Sequence, residues 1–361
     1  MSDPRAVAIV GAGIGAEHFR AYRRLPERFA VRTICELDPD RAAPLVAEDP
    51  GLAVETDLAR VLADPAIDIV DICLPPHLHL DACLRALAAG KHVICEKPLV
   101  TALRDADRLA QAEASGRARI FPVFQYRFGR GAAQLRALID AGITGTPFVA
   151  TLETHWDRGA EYYAAPWRGT WAGERGGAVL GHAIHIHDWL SFVLGPVASV
   201  HAELATRVNP IEVEDCAALA IRMHSGALAT SSITLGAAGD TSRMRFCFAG
   251  LTAESGTAPY APAEDAWRFT ARDPADQPRI DAVVAAVPET LGGFAGLFNA
   301  VADALDGQPS EPVALADARR SLDFVTAVYA SARTGAPVGL PIGRDHALYD
   351  GWAPDPKASV E

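Results

Sequence analysis

The chain has 361 residues, comfortable for two domains and too long for one ordinary core. Half of its residues are hydrophobic and 22% are charged, a balance that excludes wholesale disorder. The formal net charge is -12, so the surface repels nucleic acid and anionic membrane, and neither is expected as a partner. The six cysteines, Cys35, Cys73, Cys83, Cys95, Cys216 and Cys247, form no CxxC pair. Three of them lie in apolar runs, where cysteine behaves as a small hydrophobe, which fits a reducing cytoplasm better than a disulfide framework. No apolar run approaches the ~20 residues that span a bilayer, and the N-terminus lacks the pattern of a signal peptide. The expectation is a soluble, cytoplasmic protein.

The first third alternates strand and helix patterns. Ala6–Val10 reads as a short strand, followed by a glycine turn and a helix over Glu17–Leu25. Phe29–Cys35 is the next strand, Arg41–Ala47 a helix, and Leu58–Leu62 a short amphipathic segment. Ile67–Leu74 is mostly apolar, broken by Asp68 and Asp71, and ends at Pro75-Pro76. His79–Ala89 and Thr101–Ser115 read as helices, Val93–Cys95 and Ile120–Phe124 as strands. Largely apolar strands separated by helices predict a parallel, doubly wound sheet. After about Tyr126 the pattern changes. A helix over Gly131–Ala141 precedes candidate strands at Phe148–His155, Val197–Thr206, Ala217–Met223, Ala227–Leu235 and Met244–Phe248. Strands following one another across turns predict a mostly antiparallel sheet, with helices at Asp188–Leu194 and Ala314–Ala332 on one face. The fold class is therefore α/β at the N-terminus and α+β behind it, with domains at 1–124 and 125–361. Thr252–Pro278 reads as irregular, and the tail after Trp352 as polar and mobile.

Gly11-Ala12-Gly13-Ile14-Gly15-Ala16 sits between the first strand and the first helix, where a dinucleotide fingerprint belongs. Glycines there let the backbone approach a pyrophosphate, which the helix N-terminus attracts. Ala16 takes the place of the usual third glycine. Glu36 closes the second strand, where a carboxylate accepts from ribose hydroxyls and repels a 2′-phosphate; NAD is expected and NADP disfavoured. Leu74, Pro75 and His77 close a strand at the ligand-facing edge of the sheet, and Glu96 and Lys97 follow another. A half-buried ammonium at such an edge can orient a hydroxyl. Farther on, His182, His185, His187 and Asp188 lie within seven residues, a concentration that suggests acid–base chemistry or metal. On one helix His182 and His185 would share a face, as would His185 and Asp188.

Together, the glycine turn, Glu96-Lys97-Pro98 and the Gly176-Gly177 approach to a histidine-bearing helix resemble the family of glucose–fructose oxidoreductase and inositol 2-dehydrogenase. The resemblance implies a Rossmann domain followed by a domain whose open sheet makes a homodimer or homotetramer. It implies that Lys97 contacts a reacting hydroxyl, that the Lys97–Pro98 peptide is cis, and that His185 is the catalytic base, with His182 and Asp188 in support. One departure stands out: the residue four before the histidine, often an aspartate in that family, is Gly181 here. The aromatic stretch before this motif offers Trp156, Tyr163, Trp167 and Arg168, and the crossing between domains offers Tyr126; with His182 these are the expected contacts for a sugar or polyol. No metal is expected, although His182, His185 and Asp188 leave that alternative open. Two further alternatives are a redox-neutral enzyme that retains its NAD and a non-catalytic NAD-binding regulator.

Overall fold

The computed structural model describes residues 3–354, so the polar tail lies, from residue 355 on, outside the described residues. The chain divides into two compact units, residues 1–124 with 294–318, and residues 125–293 with 319–361.

In the first unit, β1 (Arg5–Val10), β2 (Phe29–Cys35), β3 (Ala53–Glu55), β4 (Ile69–Ile72), β5 (His92–Cys95) and β6 (Ile120–Pro122) form one sheet in the order β3-β2-β1-β4-β5-β6. Every pairing is parallel. Helices α1 (Gly15–Tyr22), α2 (Pro39–Glu48), α3 (Leu58–Ala63), α4 (His79–Ala88) and α5 (Leu103–Ala114) make the crossovers. The central strands are apolar because both faces are covered; Val7, Ile9, Ile69, Val70, Val93 and Ile94 are wholly buried. β3 escapes a reading by pattern, since its three residues are exposed or half-buried and it is defined only by pairing with Thr33–Cys35.

The segment Phe294–Ala318, expected in the second domain, packs into this first unit instead. Its helix, Gly293–Leu305, is apolar on one face for that purpose. Phe298 stacks on Tyr22 at 4.0 Å and meets Phe29 edge-on. Arg28 bonds Asn299 and Asp303, and Arg5 bonds Asp306. The chain thus returns to the first core after building most of the second.

The second unit begins with α6 (Arg130–Asp140) and β7 (Pro147–Asp157), then α7 (Ala178–Gly181) and α8 (Ile184–Leu194). β8 (Val197–Ala205), β9 (Cys216–Met223), β10 (Leu228–Thr234), β11 (Gly236–Phe248), β12 (Leu251–Glu254), β13 (Arg268–Ala271), α9 (Gln277–Ala286) and β14 (Val338–Gly339) complete it, with much of the long helix Leu315–Thr334. The eight strands run in the order β13-β12-β11-β7-β10-β9-β8-β14. Only β7 with β10 is parallel; the other pairings are antiparallel. Burial alternates strictly along β9 and β10, so one face of the sheet is covered and the other is open. Two of these strands, β12 and β13, fall in or at the edge of the stretch expected to be irregular. Each is four residues of in-out alternation, too short to stand out beside the Ala- and Pro-rich run between them.

Truncating Phe298→Ala should cost about 3–5 kcal/mol of stability, because its ring sits fully buried among Tyr22, Phe29 and His18. Denaturant unfolding measures it. A loss below about 1 kcal/mol would show that the returning segment is not part of the first core.

Candidate functional site

The glycine turn shows three separate physical demands. Gly11 has φ +101°, and a Cβ there would lie 2.5 Å from the Cys73 carbonyl oxygen at the end of β4. At Gly15 a Cβ would lie 2.7 Å from Cγ2 of Ile9, so α1 can press on β1 only through a bare backbone. This close helix–strand contact falls at Gly15 rather than at Ala16. Gly13 is different: it is exposed, and the nearest atom to its would-be Cβ is an Arg41 nitrogen at 3.6 Å. Among the described residues, the N–H groups of Gly13, Ile14 and Gly15 have no hydrogen-bond partner. Three unsatisfied donors at a helix N-terminus, with open space above, fit a pyrophosphate.

Glu36 is buried at the end of β2 and stitches the turn to the sheet. Its carboxylate accepts from the Ala12 N–H at 2.9 Å and, more weakly, from the Asp38 N–H at 3.4 Å. Arg41 of α2 approaches the same carboxylate at 3.7 Å and also reaches Gly13. That arginine was not singled out from sequence, since nothing but a fold brings it to the turn.

Leu74 and Pro75 are half-buried and His77 is exposed. The Leu74 carbonyl meets His79 Nε2 at 2.7 Å, and the Pro75 carbonyl accepts from the Leu78 N–H. His79 Nδ1 also meets the Pro98 carbonyl at 2.8 Å, tying this loop to the Glu96-Lys97-Pro98 segment. The Lys97–Pro98 peptide is cis. Lys97 is half-buried; Glu96 is buried, and its Oε2 accepts from the Lys97 N–H at 3.0 Å. Behind Glu96 lies His18 of α1, wholly buried, another residue that the sequence reading passed over.

In the second unit the histidine run separates into different roles. His182 does not share a helix with His185: α7 ends at Gly181, His182 caps it in a non-helical conformation, and α8 starts at Ile184. His187 is a core residue, its Nε2 on Ser231 Oγ at 2.9 Å and its ring against Phe324. Burial pushes its pKa down to about 3, so it stays neutral. His185 is buried, and its ring stacks on Tyr126 at 4.3 Å. Asp188, one turn on, is gripped by Arg127 through two bonds of 2.6 and 2.5 Å. A buried, bidentate pair of this kind fixes the rotation of α8. Among the described residues, His182, His185 and Asp188 do not converge on a metal position.

The aromatics surround His182. Trp156 meets it edge-on at 5.2 Å and Tyr162 lies at 5.5 Å. Tyr126 and Trp156 are themselves buried, the first with its hydroxyl on the Pro259 carbonyl and the second with its N–H on Ser242, so both back the histidines. Tyr163, Trp167 and Arg168 are half-buried. The Arg168 guanidinium lies over Tyr162 and Trp167, bonds the Tyr162 hydroxyl and pairs with Glu174. Arg158 lies over Trp156 and Tyr162 and pairs with Asp240. Glu174 also lies beside Gly181. A Cβ there would lie 3.7 Å from a Glu174 carboxylate oxygen, so an aspartate would face a like charge.

The Gly176-Gly177 pair has an equally local cause. A Cβ at Gly177 would lie 1.8 Å from the Glu214 carbonyl oxygen, and one at Gly176 2.6 Å from the Tyr329 hydroxyl. The buried Glu214 carboxylate accepts from the Gly177 and Val179 N–H groups at 3.1 Å and from Tyr329 at 3.0 Å, which anchors the start of α7.

Comparison with known proteins settles the family. Residues 5–124 match the Gfo/Idh/MocA model described as an oxidoreductase family with an NAD-binding Rossmann fold, and residues 132–253 match the C-terminal domain of the same family. The chain belongs to the Gfo/Idh/MocA oxidoreductase family. An uncharacterized oxidoreductase of Schizosaccharomyces pombe is 31% identical over 225 residues, 59% of this chain and 58% of that protein. An inositol 2-dehydrogenase of Saccharopolyspora erythraea is 34% identical over 146 residues, 40% of this chain and 43% of that one. The chain therefore spans less than two thirds of the length of these curated relatives. Among solved structures, the WlbA dehydrogenase of Chromobacterium violaceum, in complex with NADH and UDP-GlcNAcA, is 27% identical with a TM-score of 0.83, covering 95% of this chain and 98% of that one. Among the described residues, no helix is long and apolar enough to cross a membrane.

Burial pushes the Glu214 carboxyl up to about 7 from an ordinary 4.5, despite its donors. A folded-state pKa above the unfolded one means that the folded chain binds more protons between these values. Stability should therefore fall as pH rises from 4.5 to 7, by about 3 kcal/mol from this group. In Glu214→Gln that part of the decline should vanish from melting curves across this window. An unchanged decline would assign it to another group.

Proposed function

We propose that the protein oxidises a secondary hydroxyl of a sugar, glycoside or cyclic polyol, in the direction written or its reverse. NAD, when bound, supplies the hydride acceptor. Gly11, Gly13, Ile14 and Gly15 would hold its pyrophosphate and Glu36 its ribose, with Leu74, Pro75, His77 and Glu96 lining the same sheet edge. Lys97 is assigned to hydrogen-bond the reacting oxygen. His185 is assigned to take its proton, a task suited to an imidazole whose ordinary pKa is about 6.5. Asp188 acts through Arg127, holding α8 at the right rotation. Tyr163, Trp167 and Arg168, with His182, are assigned to the substrate, while Tyr126 and Trp156 support the histidines from behind.

The observation that carries this reading is the pairing of two features in one chain. One is a glycine turn with unpartnered N–H groups on a Rossmann sheet; the other is a buried histidine stacked on Tyr126 in a helix locked by Arg127. The relative that crystallised with NADH and a nucleotide sugar supports it over nearly the whole chain. We assign the open face of the second sheet to contact with another copy of the chain. Val149 and Leu228, register partners on β7 and the adjoining β10, are exposed there.

Absorbance of reduced nicotinamide, followed with NAD across sugars, glycosides, uronates and inositols, tests the reaction. Steady reduction with one group of substrates is the expected result. His185→Ala should then lower turnover by about 10²–10⁴-fold with NAD affinity unchanged. Near-normal turnover in that variant would remove His185 from the reaction. Silence across the panel with NAD bound would instead favour redox-neutral chemistry.

A further inference from the structure

We propose that His18 is a positioning residue: an imidazolium clamped between Asp71 and Glu96, it ties the segment carrying Lys97 to the first helix of the unit.

The buried face of α1 consists of Gly15, His18, Phe19, Ala21 and Tyr22. A histidine at the centre of that face is wholly buried and needs partners for both ring nitrogens. It has them. Nδ1 lies 2.8 Å from Asp71 Oδ2, and Nε2 lies 3.0 Å from Glu96 Oε1. Asp71 belongs to β4 and Glu96 follows β5, so one ring joins two neighbouring strands to the helix after the glycine turn.

The proton inventory is unusually complete. Asp71 Oδ2 also accepts from the Tyr22 hydroxyl at 3.0 Å, and Oδ1 faces the Cys73 thiol at 3.6 Å. Glu96 Oε2 accepts from the Lys97 N–H. Every carboxylate oxygen thus meets a donor, and both ring nitrogens face carboxylate oxygens. A neutral imidazole would turn a lone pair on one of them. Two buried carboxylates without a cation would also be costly. The Cys73 sulfur also lies 3.4 Å from Nδ1, and the rings of Phe294 and Phe298 cover the imidazole at 4.3 and 5.3 Å. Burial by itself pulls the His18 pKa down, but the Asp71 charge, the Cys73 sulfur and the hydrogen bonds to both override this and hold it well above 6.5. Burial likewise pushes Glu96 up, and the bond and charge of His18, together with the charge and N–H of Lys97, bring it below its ordinary value.

A metal is the competing use for these groups, since His18, Asp71 and Cys73 bring ligand atoms within 4.8 Å of one another. The chemistry disfavours it. The His18–Asp71 separation is that of a hydrogen bond, the group is sealed from solvent, and burial pushes the Cys73 thiol up to about 12, so it stays protonated.

The consequence is mechanical. Glu96 grips the Lys97 N–H with one oxygen and the imidazolium with the other, while His79 holds the Pro98 carbonyl from the opposite side. Without the charge on His18, Glu96 loses the group that fixes its side chain, and Lys97 loses its register against the glycine turn. The effect on turnover rests on the role proposed above for Lys97; the charge state of His18 does not.

The test has two arms. In ¹⁵N-labelled intact protein, the His18 ring should show two N–H groups at pH 8; a single N–H there overturns the proposal, as does a stoichiometric bound metal. The second arm compares His18→Gln with the double variant His18→Gln/Asp71→Asn, which removes the surplus buried charge. The single variant should lose melting temperature and the double variant should regain it. Turnover on any substrate of the wild type should stay depressed about 10- to 10²-fold in both, with NAD affinity kept. Turnover that recovers along with melting temperature would make His18 merely structural and overturn the positioning role. If the wild type oxidises nothing, the dehydrogenase reading fails by itself and the ring signals decide the charge state.

Discussion

The first unit depends on a single close approach: the backbone at Gly11 passes the end of β4 so tightly that a Cβ would strike the Cys73 carbonyl. That contact seats the turn on the sheet edge and starts α1 there. Three results follow from the seating. The N–H groups of Gly13, Ile14 and Gly15 point away from protein partners. Glu36 reaches the Ala12 N–H from the neighbouring strand. His18, one turn into α1, drops between Asp71 and Glu96. A nucleotide-binding edge and the anchor of the Lys97 segment are thus products of the same packing event.

The second unit solves a different problem, that of burying a histidine-rich helix without leaving charge unpaired. Arg127 neutralises Asp188, and Glu174 pairs with Arg168 beside Gly181. Glu214 is the exception. Among the described residues it has donors but no cation, and burial beneath the Gly176-Gly177 turn pushes its pKa up. The pattern is a site whose rigidity comes from charged and aromatic groups placed behind the histidines rather than from the histidines themselves.

Much of this was legible in the sequence where the physics is local. The parallel sheet announced itself through apolar runs between helices, and the glycine turn through its position between strand and helix. Lys97 and His185 stood out only through their motifs. Long-range pairing was not legible. Nothing near Asp188 announces Arg127, and nothing near Glu36 announces Arg41. The return of Phe294–Ala318 to the first core was equally hidden, because an amphipathic helix does not state which core it covers. Asp71 within an apolar strand and His18 on an apolar helix face did leave a trace, as two polar residues at core positions. The distinction among His182, His185 and His187 needed the helix break at Gly181, which one short sequence window does not determine.

The role proposed for the glycine turn is to hold NAD. Gly13 isolates that role, since its would-be Cβ meets only the end of the Arg41 side chain, at an ordinary contact of 3.6 Å, so a larger side chain there should leave the fold intact. Calorimetric titration of NAD into wild type and Gly13→Glu is the most direct test. The wild type should bind NAD and the variant should not, at equal melting temperature. Equal binding by both proteins would contradict it.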